Sequence, residues 1–357
     1  MRRARAWGGG TMALAAILIV RLGAVDAPEA LWPEVAAWLH DHAGLSEADQ
    51  QTLAAGRAVA RTVETATASE SAAAGAVVID APVERFLQEF VTVSSSRRGP
   101  GVLAIGVFSD PPIPADLDGL TLTTEDLAAL RRCRPGDCDV KLPAAAIGRF
   151  RDAVYWGAPS APAEATAVMR GWLFDRVRAY RGGGNAALGF ADDRRPPTDL
   201  GGELAALLSH EPWLEHLAPG VRAYLAGYPG LRPVDVHDTL YWARVDFGLK
   251  PTIRLNHVSV HATPNAPAGL THVIATKQIY ASHYLRAALE LRLIFARPGG
   301  GFVLAMATRS RNDGMTGMLG FVVRAKVRSR SRDGLVRYLE HMKATLEAGR
   351  RGGVVGP

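Results

Sequence analysis

Three histidines and the hydroxyls around them are the side chains of this chain best suited to chemistry. His257 and His261 stand four apart in Thr252-Ile253-Arg254-Leu255-Asn256-His257-Val258-Ser259-Val260-His261, which alternates and carries the β-branched residues of a strand. On a strand both imidazoles face one side, about 13 Å apart at ~3.3 Å per residue. That is too far to share one metal ion, so no metal centre is expected from the pair. Tyr280-Ala281-Ser282-His283-Tyr284 gathers three hydroxyls and an imidazole. Read as a strand, it turns Tyr280, Ser282 and Tyr284 to one face and His283 to the other, so Ser282 and His283 do not form a nucleophile–base pair. A triad drawn from Ser282, His257 or His261, and Asp246 stays open, as does the plainer reading of polar residues lining a cavity or the surface.

Cations accompany these groups. Arg254, Lys277, Arg292, Arg309 and Arg311 lie on or beside the same segments. One that points inward would meet an anionic head group through charge-assisted hydrogen bonds. Arg324, Lys326, Arg328, Arg330, Arg332 and Arg337 crowd the final helical segment, which suits either an anionic membrane surface or a solvated helix face. Two apparent motifs carry nothing. Gly182-Gly183-Gly184-Asn185-Ala186-Ala187 follows a helix where a dinucleotide loop follows a strand, and Asp246-Phe247-Gly248 has no kinase partners. The sequence also lacks a phosphate-cradling Gly-Lys-Ser/Thr loop and a Gly-x-Ser-x-Gly elbow, and no cofactor is expected.

The elements that would position these residues are legible in part. Leu31, Val35, Trp38 and Leu39 recur at helical spacing, and Ser46 is a fitting N-cap for a second helix. Segments 56–66, 70–80 and 101–108 read as strands, with Pro82 in the first turn of a helix beginning at Val83. Residues 111–245 read as a mostly helical section, with helices at 123–132, 143–154, 162–180, 201–208, 212–227 and 235–245 and an exposed polar loop at Asp192–Pro197. Segments 252–261, 271–281, 286–296 and 302–309 read as an antiparallel meander of about four strands. A helix from about Met315 to Glu347 closes the chain. Leu335, Leu339, Met342 and Leu346 form its apolar stripe, with an earlier one at Met315, Met318, Leu319 and Val322.

The start of the chain bears on the compartment. Arg2, Arg3 and Arg5, the apolar run Thr11–Val20 and the small residues around Val25-Asp26-Ala27 read as a cleaved export signal over residues 1–27. A retained anchor is the lesser alternative, because a spanning helix needs roughly 20 apolar residues. The formal charge is +6, and the leader's Arg2, Arg3, Arg5 and Arg21 against Asp26 account for three of it, leaving +3. Weak charge and export together argue against a nucleic-acid partner. Cys133 and Cys138, the two cysteines, flank Arg134-Pro135-Gly136-Asp137. The Pro-Gly turn folds the thiols together, and outside the cytoplasm a disulfide is expected.

This order of elements resembles the START-like, or helix-grip, superfamily. Ala76-Val77-Val78-Ile79-Asp80-Ala81-Pro82-Val83-Glu84-Arg85-Phe86 looks like its strand-to-helix entry, and Arg337-Tyr338-Leu339-Glu340-His341-Met342-Lys343 like its gripping helix. The resemblance covers residues 56–110 and 250–347. It implies an α+β fold in which a curved antiparallel sheet packs on a long C-terminal helix and holds a hydrophobic ligand between them. Residues 56–350 would form one such domain behind N-terminal helices at 28–55, with 111–245 inserted over the cavity mouth. The expected function is binding of a hydrophobic or amphipathic, lipid-like molecule. Arg254, His257, His261, Lys277, Tyr280, Ser282, His283, Tyr284 and Leu339 are the candidate contacts. The alternatives are an envelope hydrolase using His257, His261 or His283, and a membrane-surface protein docking through the basic helix.

Overall fold

The computed structural model describes residues 33–91, 101–317 and 320–348; the leader, Met318 and Leu319 lie outside them. The chain runs α1 (Pro33–Ala43), α2 (Glu47–Ala54), β1 (Val59–Val63), β2 (Glu70–Ile79), α3 (Val83–Val91) and β3 (Val102–Val107). The middle section follows as α4 (Thr124–Arg132), α5 (Ala144–Ala153), α6 (Ala161–Gly183), a two-residue pair β4 (Phe190–Ala191) and β5 (Thr198–Asp199), α7 (Leu200–Ser209), α8 (Trp213–Leu217) and α9 (Val221–Gly227). Then come β6 (Val236–Val245), β7 (Thr252–Ala262), β8 (Leu270–Ala281), β9 (Leu285–Ala296), β10 (Phe302–Asn312) and α10 (Gly320–Ala348).

Among the described residues eight strands form one curved antiparallel sheet, in the order β1-β2-β10-β9-β8-β7-β6-β3. Its two faces are covered by different helices. On the inner face Val77, Ile79, Val258, Ile274, Ile294, Phe302, Leu304 and Met306 pack against Phe86 and Phe90 of α3 and against Leu335, Leu339, Met342 and Leu346 of α10. On the outer face Leu255, Val273, Leu291, Leu293, Phe295 and Val303 pack against α1, α2 and the middle helices. The sheet is therefore the central layer between two helical layers.

Local signals explain the elements read correctly. Ser46 caps α2 in a reciprocal box with Asp49, which also takes Arg61 in a two-pronged contact at 2.8 and 2.9 Å. The Cys133–Cys138 disulfide closes the turn at Gly136, whose φ of +85° needs a residue without Cβ strain.

Three expectations are corrected. Residues 235–245 are a strand, β6, paired residue by residue with β7 from Val236↔His261 to Val245↔Thr252. Thr239, Tyr241, Trp242 and Val245 have the shapes a pleated surface accommodates, and a partner on each side settles the matter. Residues 212–227 are two helices, because Pro219 brings no N–H and Gly220 turns left-handed at φ +82°. The helical section packs across the outer face of the sheet, opposite α10, rather than over a cavity mouth.

The loop at 192–197 is also less free than its polarity suggests. Asp192 and Asp193 accept through their carbonyls from Gly136 and Cys138, tying the loop to the disulfide turn. The Asp193 carboxylate is buried against Lys141, which also pairs with Asp313. Arg194 and Arg286 reach Asp313, Arg286 and Arg311 reach Glu203, and Arg309 and Arg311 reach Glu70. Glu211 also pairs with Arg309, and the network fastens the middle helices to one end of the sheet.

Candidate functional site

The inner face divides in two along the strands. Its lower half is the apolar core beneath the second half of α10, and Leu339 is fully buried there. Towards the end that carries the β1–β2 and β6–β7 hairpins, polar side chains replace the apolar ones. Alternation on β7 puts Arg254 and Asn256 on the same face as Val258. In register across the strands, Thr308 on β10 opposes Glu290 on β9, Glu290 opposes Thr276 on β8, and Asn256 opposes both Gln278 on β8 and Tyr241 on β6.

These groups are linked. Arg254 Nε donates to Gln278 Oε1 at 3.2 Å, and its Nη2 lies 3.8 Å from Glu290. Arg292 donates to Glu290 at 3.0 Å and to Thr276 Oγ1 at 3.3 Å, with its guanidinium 4.9 Å from the Phe90 ring and 5.4 Å from that of Tyr338. Charged side chains on central strands, between two helices, would ordinarily be sealed; here Glu290 keeps 26% of its side-chain surface and Arg254 13%. The fully buried apolar stripe of α10 begins at Leu335, and the half-buried positions before it, Ser331, Arg328 and Val327 among them, mix polar with apolar side chains. Arg328 donates to Thr65 Oγ1 and Arg330 reaches the Phe247 carbonyl, so this half of α10 bridges the β1–β2 and β6–β7 hairpins above the polar half of the face. The result is a partly exposed polar patch beside an apolar core.

The outer face holds a second cluster. Tyr180 on α6, Tyr224 on α9 and Tyr228 beyond it meet Asp238 of β6, His257 and His261 of β7 and Lys277 of β8. His257 Nε2 donates to Asp238 Oδ1 at 2.9 Å, which leaves Nδ1 to accept from the Tyr180 hydroxyl at 2.8 Å. Tyr224 donates to the other Asp238 oxygen at 2.6 Å. Lys277 Nζ donates to Asn185 Oδ1 and the Leu225 carbonyl, and lies 4.8 Å from the Tyr228 ring centre.

Burial dominates the electrostatics of this cluster. It pushes His261 down to about 4, Lys277 down to about 7 and His257 below its ordinary value. For Asp238, burial alone would raise the pKa, but the hydrogen bonds from His257 and Tyr224 hold it below the usual carboxylate range. Both His257 ring nitrogens are occupied and its side chain is sealed, and the cluster latches the middle helices to the sheet.

The remaining expected residues are placed elsewhere. Ser282 Oγ accepts from the Ile253 amide at 2.9 Å, His283 sits between Asp126 and the Asp139 carbonyl, and Asp246 accepts from the Gly248 amide. A triad of Ser282, His257 or His261, and Asp246 is therefore not assembled. Residues 282–284 lie in the turn beyond β8, where Tyr284 has φ +58° and its hydroxyl accepts from the Lys250 amide, so strand alternation does not govern them. Ser259 and His261 do touch, at 3.0 Å, but both are buried and His261 Nδ1 has no partner to orient it. Tyr280 packs edge-on against Trp172 on the outer face, its ring 5.7 Å from the Arg176 guanidinium.

The nine candidate residues thus do not converge. Arg254 faces the inner polar patch and Leu339 the core below it; His257, His261, Lys277 and Tyr280 face the middle helices. The sequence reading named Arg292 among the cations but missed Asn256, Gln278, Glu290, Thr276 and Tyr338. The signal for the strand residues was the paired polar residues at alternate places, Arg254 and Asn256 on β7, Thr276 and Gln278 on β8, Glu290 and Arg292 on β9. Among the described residues no three His, Cys, Asp or Glu side chains come together as a metal site, and no helix is long and apolar enough to cross a membrane.

No protein-family model matches the chain, and no curated protein is detectably similar to it. The structure defines the class by architecture: an α+β protein whose curved antiparallel sheet packs on a long C-terminal helix.

Proposed function

We propose that this chain is an exported protein that holds a small amphipathic molecule between the polar half of its inner sheet face and α10. The observation that carries this reading is the linked set Arg254, Glu290 and Arg292 on central strands between two helical layers, of which Glu290 and Arg254 stay partly exposed while Arg292 is buried. Such groups are costly to enclose unless paired, and the exposure of those two leaves them able to receive a polar end. The apolar part would rest against Phe90, Tyr338 and the upper rim of the core, where each Å² removed from water contributes roughly 25 cal/mol before the costs of binding. The helix-grip resemblance supports the same location. Export is supported by the basic and apolar leader and by the Cys133–Cys138 bridge, which persists in oxidising compartments.

Titration with cis-parinaric acid, a fluorescent carboxylate amphiphile, tests the reading. Its emission should rise saturably at one probe per chain, and Arg254→Gln should weaken binding about tenfold, the loss of one charge-assisted hydrogen bond. A linear, unsaturable rise, or an affinity indifferent to Arg254, would count against the site.

A further inference from the structure

We propose that the first three turns of α10, with the tip of the β6–β7 hairpin beside them, form a docking surface for an anionic phospholipid bilayer. The surface is separate from the groups that would hold a small molecule, and it stands or falls without that reading.

The open side of α10 repeats with the helix. Phe321, Val322, Ala325, Lys326, Ser329 and Arg330 are exposed, at spacings that put them on one side of the cylinder. Arg324 and Arg328, between them, turn back to the Met315 carbonyl and to Thr65 Oγ1. At the start of the stripe Phe321 keeps 63% of its surface open and Val322 50%. Arg330, further along it, reaches the Phe247 carbonyl at 3.4 Å and so brings the hairpin tip against the helix. Phe247 and Leu249 stand exposed on that tip. Large apolar side chains gathered on an open surface mark a place of contact with another body.

Charge names the partner. From Gly320 to Arg332 the helix carries five cations, Arg324, Lys326, Arg328, Arg330 and Arg332, and no acid. Among the described residues one of the five has a carboxylate partner, Arg332 with Asp333. Arg324, Arg328 and Arg330 donate to neutral oxygens and keep their full charge. The hairpin's own carboxylate, Asp246, is turned to the Gly248 amide. A layer of anionic headgroups complements this field, while Phe321 and Val322 enter the boundary between headgroups and acyl chains. A nucleic acid or an acidic protein would meet the cations and leave the apolar pair in water, so the two features together favour lipid.

Vesicle flotation tests the proposal. The protein as purified should attach at low salt to vesicles of equal parts phosphatidylglycerol and phosphatidylcholine. In about 0.5 M salt, where the screening length falls to roughly 4 Å, its affinity should drop at least about tenfold. Vesicles of phosphatidylcholine alone should bind it about tenfold more weakly or worse. Lys326→Gln should weaken attachment about fivefold and Phe321→Ala about tenfold. Both side chains stand in solvent, so both variants should melt with the wild type. Tyr155→Ser, which removes an exposed aromatic between α5 and α6, should attach as the wild type does. Absence of attachment to the anionic vesicles at low salt overturns the proposal. So does attachment that survives both substitutions, as attachment through the leader would. A Phe321→Ala variant that floats like the wild type while Lys326→Gln does not would make the stripe a general polyanion surface and overturn the lipid assignment.

Discussion

Leu339→Asp is expected to leave no cooperatively folded protein. Leu339 is fully buried in the seam where α10 meets the sheet, in one cluster with Leu335, Met342, Phe86, Val77 and Leu304. Truncating such a leucine to alanine costs about 2–5 kcal/mol through lost transfer and the cavity left behind. An aspartate adds the cost of burying a carboxylate among apolar side chains. The total reaches the ~5–15 kcal/mol that a whole domain has to lose. Urea unfolding followed by tryptophan fluorescence should show no transition for Leu339→Asp and a lowered midpoint for Leu339→Ala. A native-like transition in the aspartate variant would mean that α10 does not pack as described. The sequence reading made Leu339 a ligand contact; its position makes it a core residue, so loss of ligand on substitution would report unfolding rather than a broken contact.

Asp238→Ala has the second largest expected effect, a loss of about 3–5 kcal/mol. The substitution leaves the Nε2–H of the fully buried His257 imidazole and the Tyr224 hydroxyl without their acceptor, and the latch between α6, α9 and the sheet fails at its centre. The same cluster sets a pH dependence. Burial lowers His261 to about 4, so between about pH 4 and 6.5 the unfolded chain binds more protons than the folded one. Stability must then rise with pH across that window, and His257 acts in the same direction. Lys277, lowered to about 7, extends the rise from about pH 7 towards 10. Calorimetric melting temperatures at pH 4.5, 6.5 and 8.5 should increase in that order, with the last increment missing in Lys277→Met. A profile that falls with pH would contradict the buried, neutral state of these groups.

Much of the fold could be read from residue order because local signals and tertiary demands agree. The alternation of β7, the Ala81-Pro82 entry to α3, the Ser46 cap and the Leu335–Leu346 stripe each point to the element that forms. β6 could not be read this way. Its ten residues fit a helix or a strand locally, and the pairing that decides between them, from Val245↔Thr252 to Val236↔His261, is supplied by the next strand, β7. The site was harder still. Nearly every residue of β8 is buried, since helices cover both faces of the sheet, so polarity no longer tells inside from outside. His257 and Asn256 are adjacent and both buried, yet belong to opposite faces of the sheet. Only the position of α10 separates the latch from the polar patch. Lys141, Asp193 and Asp313 come together from three distant segments, and nothing near any of them announces the pairing.

The central proposal is that a molecule is held between the polar half of the inner sheet face and α10, and a native mass spectrum of the purified protein tests it most directly. Wild-type chain should carry one additional small-molecule mass that organic extraction releases. Thr308→Trp, which covers the polar patch from the half-buried position opposite Glu290, should fold and appear at the bare polypeptide mass. A wild-type spectrum at the bare mass, or a Thr308→Trp variant that keeps the full complement of ligand, would contradict the account.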